Sequence, residues 1–360
     1  MTYSEEQFRE IYNRYKELCD SVSVDILKLR KGFTKKEIED TALIYVLACA
    51  EATFQGKEPP KLEEYITEFL DVRKPILENL TAHSPTSFIM PNHKIVNAIS
   101  KYGTFEEIAA TKVISKAPEI ETKATLHFDD NITLPKNYTQ YDRAVLNAIC
   151  SLYNAGNKAF TPIMVFRSMT GRTNDETIEP SVLKAVTESI EKQRRAIVKI
   201  DGTEELTRRK VPGVESLTFD ENILNLTAAT IKVNGVKTKG YIFVNKPVLY
   251  RYCETTKQII TVPIQLLNTK SIKNTPDIIV IREYLLRQIE LIKKGIRNNK
   301  KILYETVFEE CGITVNNKTV AKRYRDYISR LLEAWIEKGY IKAYKEYKKG
   351  NKFMGVEIKF

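Results

Sequence analysis

Paired histidines, a cysteine framework, a phosphate-binding loop and a long apolar run are all missing from this 360-residue sequence, and each absence removes a class of function. None of the three histidines, His83, His93 and His127, has a second histidine two or four residues away, so paired-histidine metal sites have no ligands here. Asp129 and Asp130 follow His127, but adjacent residues in a β-like stretch point to opposite faces. The five cysteines, Cys19, Cys49, Cys150, Cys253 and Cys311, stand singly and odd in number with no CxxC pair. That pattern gives neither a disulfide framework nor a zinc site, and it marks them as small core residues. Neither GxxxxGK[ST] nor GxSxG occurs, which removes the usual ATPase loop and hydrolase elbow. No stretch approaches the roughly 20 apolar residues of a membrane span, and the acidic opening MTYSEEQFRE lacks the basic-then-apolar order of a signal peptide. The expectation is a soluble cytoplasmic protein that is not an enzyme, with no catalytic residues, no metal, no cofactor and no membrane partner.

Positive charge is what the sequence does hold. Lys and Arg number 57 against 46 Asp and Glu, a formal net charge of +11, and a basic protein gathers polyanions around itself. The distribution is uneven. Residues 1–80 carry 12 Lys and Arg against 16 Asp and Glu, whereas residues 291–360 carry 17 against 8. An acidic first region and a basic last one predict different partners for the two ends. A lysine-rich solvated surface explains charge alone, so the order of elements must discriminate.

Residues 1–80 read as a small helical bundle. Phe8, Ile11, Tyr15, Leu18 and Val22 fall at helical spacing, a second helix follows Thr34, and a third follows Pro59-Pro60. Residues 81–135, interrupted by Pro85, Pro91, Pro118 and Pro135, read as a connector with some strand or short helix. Residues 136–250 then begin with a capping box, Thr139 and Asp142, ahead of a helix with Tyr141, Val145, Ile149 and Leu152 on one face. Thr161-Pro162 opens a short second helix, and residues 180–196 give a third with Val182, Val186 and Ile190 inward. The period then shortens to 2, with Asn234-Gly235 between two alternating runs, the strongest short hairpin signal. Three helices and a hairpin are the winged-helix order. Residues 251–360 repeat it: a helix from Thr275-Pro276 to Gly295, a short one in ILYETVFEECG, a third from about Lys318 to Lys338, and two strands around Gly350-Asn351. The predicted fold class is α+β, mainly α, with an N-terminal helical bundle followed by two winged-helix domains.

Winged helices place their third helix in the major groove and their wing on the backbone or minor groove. In the second copy Val320, Tyr324, Ile328, Leu331 and Trp335 form the buried stripe of that helix. Lys318, Lys322, Arg325 and Ser329 then share an exposed face, with Arg323 and Arg330 beside them. Arg and Lys donate to guanine edges or phosphates, and Ser serves either, so these are the candidate readers. The wing adds Lys342, Lys345, Lys348, Lys349 and Lys352, a phosphate grip interleaved with Tyr344 and Tyr347. In the first copy the third helix exposes Lys184, Thr187, Glu188 and Glu191, and basic residues gather only at its end and beyond: Lys192, Arg194, Arg195, Arg208, Arg209 and Lys210. Weaker DNA contact, or self-association, is expected there. The Tyr-rich PVLYRYCE reads as core.

The segment TQYDRAVLNAICSLYNAGNKAFTPIMVFRSMTG and the tandem order together resemble theta-type plasmid replication initiators, which bind short direct repeats at an origin; the resemblance covers residues 136–360. It implies double-stranded DNA as partner, a main major-groove helix in the second domain, and dimerisation with additional DNA contact through the first. The acidic N-terminal region departs from the basic family pattern, which leaves open a phage or integrative-element relative. The preferred expectation is a mobile-element initiator that binds origin repeats and recruits host replication proteins through its N-terminal region. The alternatives are a winged-helix transcriptional regulator and a mobile-element protein that inhibits a host factor by protein binding.

Overall fold

Side-chain caps written into the sequence start several of the described helices. The computed structural model describes residues 16–29, scattered positions between 42 and 62, and residues 83–104, 123–128, 137–172, 178–208, 210, 216–233, 236–269 and 272–360. Contacts divide the chain into two compact units, Met1–Leu80 and Thr81–Phe360.

In the first unit the described helix is α1 (Lys16–Leu29). Its buried line is Cys19 and Ile26, with Ser23 Oγ donating to Cys19 O at 2.7 Å, while Leu18 is 53% exposed. The predicted stripe through Leu18 is therefore displaced by one residue, a turn of about 100° around the helix axis. Ala42 and Val46, four residues apart, are both buried. Phe8, Ile11, Tyr15, Thr34 and most of the predicted third helix lie outside the described residues.

The second unit is α+β, with small antiparallel sheets. Residues 81–135 contribute β1 (Ser87–Pro91), α2 (Lys94–Tyr102), β2 (Gly103–Thr104) and β3 (Lys123–Phe128), and β2 pairs with β4 (Asn137–Tyr138). Next comes α3 (Gln140–Asn154), which starts in the predicted capping box: Thr139 N donates to Asp142 Oδ2 at 2.7 Å and Asp142 N to Thr139 Oγ1 at 3.2 Å. Every residue from Asp142 to Leu152 is buried, not one face alone. The composition allows it, because Ala, Val, Leu, Ile and Cys occupy most of these positions and neighbours pack on several sides.

A short strand, β5 (Ala159–Phe160), leads to α4 (Pro162–Thr170), capped by Thr161 and ended by Gly171 at φ +60°. A Cβ on Gly171 would lie 2.7 Å from Asn268 N, so both the turn and the close approach require glycine. Then α5 (Pro180–Arg194) buries Val186 and Ile190. The hairpin of β8 (Leu226–Val233) and β9 (Val236–Phe243) follows later in the chain, with β5 paired to β9. Asn234-Gly235 lies outside the described residues, flanked by the Val233–Val236 pair. Between α5 and this hairpin the chain forms β6 (Ala196–Asp201), α6 (Thr203–Arg208) and β7 (Thr218–Asn222), and β6 pairs with β3 and β7 instead of with the hairpin.

After α7 (Val248–Thr255), which buries Val248, Leu249, Tyr250, Tyr252 and Cys253, the strand β10 (Ile259–Pro263) pairs with β1. A second series comprises α8 (Pro276–Lys293, capped by Thr275), β11 (Lys301–Leu303), α9 (Tyr304–Glu310), α10 (Lys318–Glu337), β12 (Ala343–Lys349) and β13 (Lys352–Lys359). The three-stranded sheets that contain the two hairpins have the same topology. In each, a short strand between the first and second helices pairs with the second strand of the hairpin, giving orders β5-β9-β8 and β11-β13-β12.

The two series share one core through α3 and α8. There Asn147 Nδ2 donates to Glu283 Oε2 at 2.7 Å, Arg143 Nη2 to Pro91 O at 3.0 Å, and Arg282 Nη2 to Met169 O at 3.1 Å. Burial pushes the Glu283 carboxyl up to about 7 and the Arg143 guanidinium down to about 9. Buried charges of this kind persist when hydrogen bonds and neighbouring charges compensate for lost water.

Candidate nucleic-acid interface

The helix α10 begins where Asn317 Oδ1 accepts from Val320 N at 2.9 Å. Tyr324, Ile328, Leu331, Leu332 and Trp335 are buried along it, which matches the predicted stripe except that Val320 is half-buried and Leu332 is added. Trp335 Nε1 donates to Leu266 O at 3.0 Å, so this ring belongs to the core.

Lys318, Lys322, Arg323 and Arg330 are exposed on the other side. Arg325 and Ser329, expected on the same open face, instead lean on the hairpin. The Arg325 guanidinium lies 4.1 Å from the Phe353 ring centroid on β13. Ser329 hydrogen-bonds Tyr344 of β12, whose hydroxyl also donates to Glu333 Oε1 at 3.3 Å. Ser329 is thus turned toward the base of the hairpin, because its position on α10 faces β12.

Lys345, Lys348, Lys349 and Lys352 are exposed on the hairpin, and Lys349 pairs with Lys352 across the Gly350-Asn351 turn. The Lys348 ammonium is 4.1 Å from the same Phe353 centroid, and the Lys301 ammonium of β11 is 5.1 Å from that of Tyr347. A groove of about 770 Å³ runs between α9, the first half of α10 and the hairpin tip, lined by Phe308, Val315, Lys318, Arg325, Lys352 and Phe353. Among the described residues, Lys318, Lys322, Arg323, Arg325, Lys345, Lys348, Lys349 and Lys352 form no ion pair.

In the first series several cations are paired internally, although Arg195 and Lys210 have no ion pair among the described residues. Lys192 is buried with its Nζ 2.6 Å from Asp142 Oδ2, the same carboxylate that closes the α3 capping box. Arg194 lies 2.9 Å from Glu191, Lys239 lies 2.5 Å from it, and Tyr241 Oη donates to it at 2.9 Å. Burial opposes ionisation of Glu191, but the bonds from Lys239, Arg194 and Tyr241 outweigh it and hold the carboxyl down to about 2. Lys184 pairs with Glu188 and Lys199 with Asp220. Arg195 is half-buried, Lys210 is exposed at φ +50°, Arg208 ends α6, and Arg209 lies outside the described residues.

Phe353 and Lys301 went unrecognised in the sequence. The signal for Phe353 was present, since a two-residue turn at Gly350-Asn351 sets it opposite Lys348. Nothing local announces Lys301, which reaches the surface through a three-residue strand. Elsewhere, His93 Nε2 meets Glu205 Oε2 at 2.8 Å while its Nδ1 accepts from Ile95 N, and Tyr252 and Gln258 also donate to Glu205. This buried cluster ties the link between β1 and α2 to α6 and α7. Asp129 and Asp130 lie outside the described residues. No described helix is long and apolar enough to cross a membrane.

No protein-family model and no curated protein matches the chain. Among solved structures it is similar to a crystal structure of domains 2 and 3 of RctB, with 11% identity and a TM-score of 0.41 over 75% of this chain and 97% of that one. A second crystal structure of RctB domains 2–3 gives 11% identity and a TM-score of 0.37 over 69% and 91%.

Proposed function

We propose that the chain is a sequence-specific double-stranded DNA-binding protein whose reader is α10 with the β12–β13 hairpin as its wing, and that its two helix–hairpin series are tandem winged-helix modules. The carrying observation is the contrast in ion pairing. Eight cations of α10 and its hairpin have no carboxylate partner among the described residues, whereas in the first series Lys184, Lys192, Arg194 and Lys239 are paired internally and only Arg195 and Lys210 of its described candidate cations have no such partner. Unpaired cations near one another repel, and a polyanion relieves that repulsion while releasing its own counterions. A helix of this width enters a major groove, and a hairpin beside it meets the backbone. Lys318, Lys322 and Arg323 are the groove-facing readers and Lys345, Lys349 and Lys352 the backbone grip.

In its finer form the reading is a replication initiator of a mobile element, acting in the cytoplasm without a catalytic step. It binds origin repeats as a dimer and engages host replication proteins through its acidic N-terminal region. Its support is the tandem repetition of one topology and the charge contrast between the two ends of the chain. Selection of duplexes from a random pool at about 150 mM salt tests the DNA reading. An enriched motif lost in the Lys322→Glu, Arg323→Glu variant is expected, and enrichment retained by that variant would move the reader elsewhere. Repeats of the motif beside the gene accord with an initiator, whereas a single palindrome in a promoter would replace it with a regulator.

A further inference from the structure

Arg325 on α10 and Lys348 on β12 both lie 4.1 Å from the centroid of one ring, Phe353 on β13. Two cations are thereby held within about 8 Å of one another, and neither has a carboxylate partner among the described residues. Like charges at that spacing repel; the electron-rich face of the ring is what attracts both. Lys348 and Phe353 are cross-strand partners beside the register irregularity at Tyr347 and Lys348, so the sheet fixes where the ring stands. Arg325 belongs to the helix. Phe353 is therefore the point at which helix and hairpin meet through a side chain that also faces the groove.

We propose that Phe353 is a positioning residue for DNA recognition, holding the Arg325 guanidinium at a set angle so that helix and wing read DNA as one unit. The proposal rests on the DNA-binding reading above. An unrestrained arginine samples many rotamers and loses that freedom on binding. Stacked on Phe353, Arg325 meets DNA already ordered, and the saving favours sequences whose donor and acceptor pattern matches that one orientation. Lys348, held on the same ring, keeps the wing in register with it.

The test uses the full chain and a duplex of about 25 base pairs that the wild-type protein selects from a random pool, with random-sequence duplex as reference. Phe353→Leu keeps an apolar side chain but removes the ring, and Phe353→Tyr keeps the ring. Phe353→Leu is expected to lower the preference for the selected duplex about three- to fivefold, the range of an exposed cation–ring contact, with little change on random duplex. Phe353→Tyr is expected to retain the preference. In an Arg325→Ala background Phe353→Leu is expected to have no further effect on the preference, because the guanidinium it orients is gone and Lys348, the other cation on the ring, contributes to both duplexes alike. Equal losses in both backgrounds, or a Phe353→Tyr variant as poor as Phe353→Leu, would show that the ring only packs and would overturn the proposal. An Arg325→Ala chain that discriminates like wild type would also overturn it while leaving DNA binding by the rest of the surface intact. A wild-type chain that selects no sequence would overturn both readings. Melting curves accompany each variant, and Phe353→Met replaces Phe353→Leu if the latter does not fold.

Discussion

Lys349 and Lys352 are the last paired residues of the β12–β13 hairpin, flanking Gly350-Asn351. Both are exposed, and neither has an ion pair among the described residues. Replacing both with Gln removes two charges while keeping most of each side chain, so the fold should tolerate it within about 0.5 kcal/mol. Each phosphate contact contributes about 0.9 to the slope of log affinity against log salt, so losing two flattens that slope by about 1.8. Salt raised from about 50 to about 200 mM is a fourfold change. The deficit of the double variant relative to wild type should therefore shrink about twelvefold across that range, being large at low salt and small at high. Fluorescence anisotropy of a labelled duplex at several salt concentrations measures this directly. A deficit constant at every salt concentration would refute the reasoning, because that is what loss of an uncharged contact gives. So would an unchanged affinity, which would place the hairpin tip away from DNA.

Lys192→Met should destabilise the protein by about 3 kcal/mol in urea melts while leaving DNA affinity of the folded protein unchanged, since it removes the cation paired with the buried Asp142 carboxylate; weakened DNA binding with normal stability would return Lys192 to the interface. Gly171→Ala should cost about 1–3 kcal/mol, because φ is +60° and a Cβ would press on Asn268 N and Ile264 O; a melting temperature within 1 °C or so of wild type would contradict that geometry. Glu191 is held below its unfolded value of 4.5, to about 2, so it contributes stability above pH 4.5 that is lost as pH falls toward 2. Glu191→Gln should remove that part of the acid dependence, and denaturant midpoints of both proteins falling in parallel over this window would show that the pairing with Lys239 and Arg194 is unimportant.

Local chemistry made much of this structure legible. Thr139 with Asp142, Thr161-Pro162 and Thr275-Pro276 mark helix starts through hydrogen bonds closed within three residues, and each cap forms where the sequence puts it. The stripe through Tyr324, Ile328, Leu331 and Trp335 is long enough for its period to fix a face. What stayed hidden depends on partners far away in the chain. β5 and β11 are two and three residues long, too short to show a period, yet they complete the matching sheets. The pairing of β1 with β10 joins Ser87 to Pro263, and no local pattern specifies it. Lys192 reads as a free surface cation until Asp142, 50 residues earlier, is brought against it. At the candidate site the cations were legible as charge, but the leaning of Arg325 on Phe353 and of Ser329 on Tyr344 follows from how the hairpin folds back over α10.

The most direct measurement is binding of the purified chain to fragments of its own genetic neighbourhood, titrated from about 50 to 200 mM salt against random competitor DNA. Fragment-selective binding that survives at the upper salt limit, and that is lost when Lys318, Lys322 and Arg323 are replaced together, is the predicted result. Binding that vanishes over that range, or that never distinguishes one fragment from another, would contradict the central claim and reduce the basic face to a charged surface.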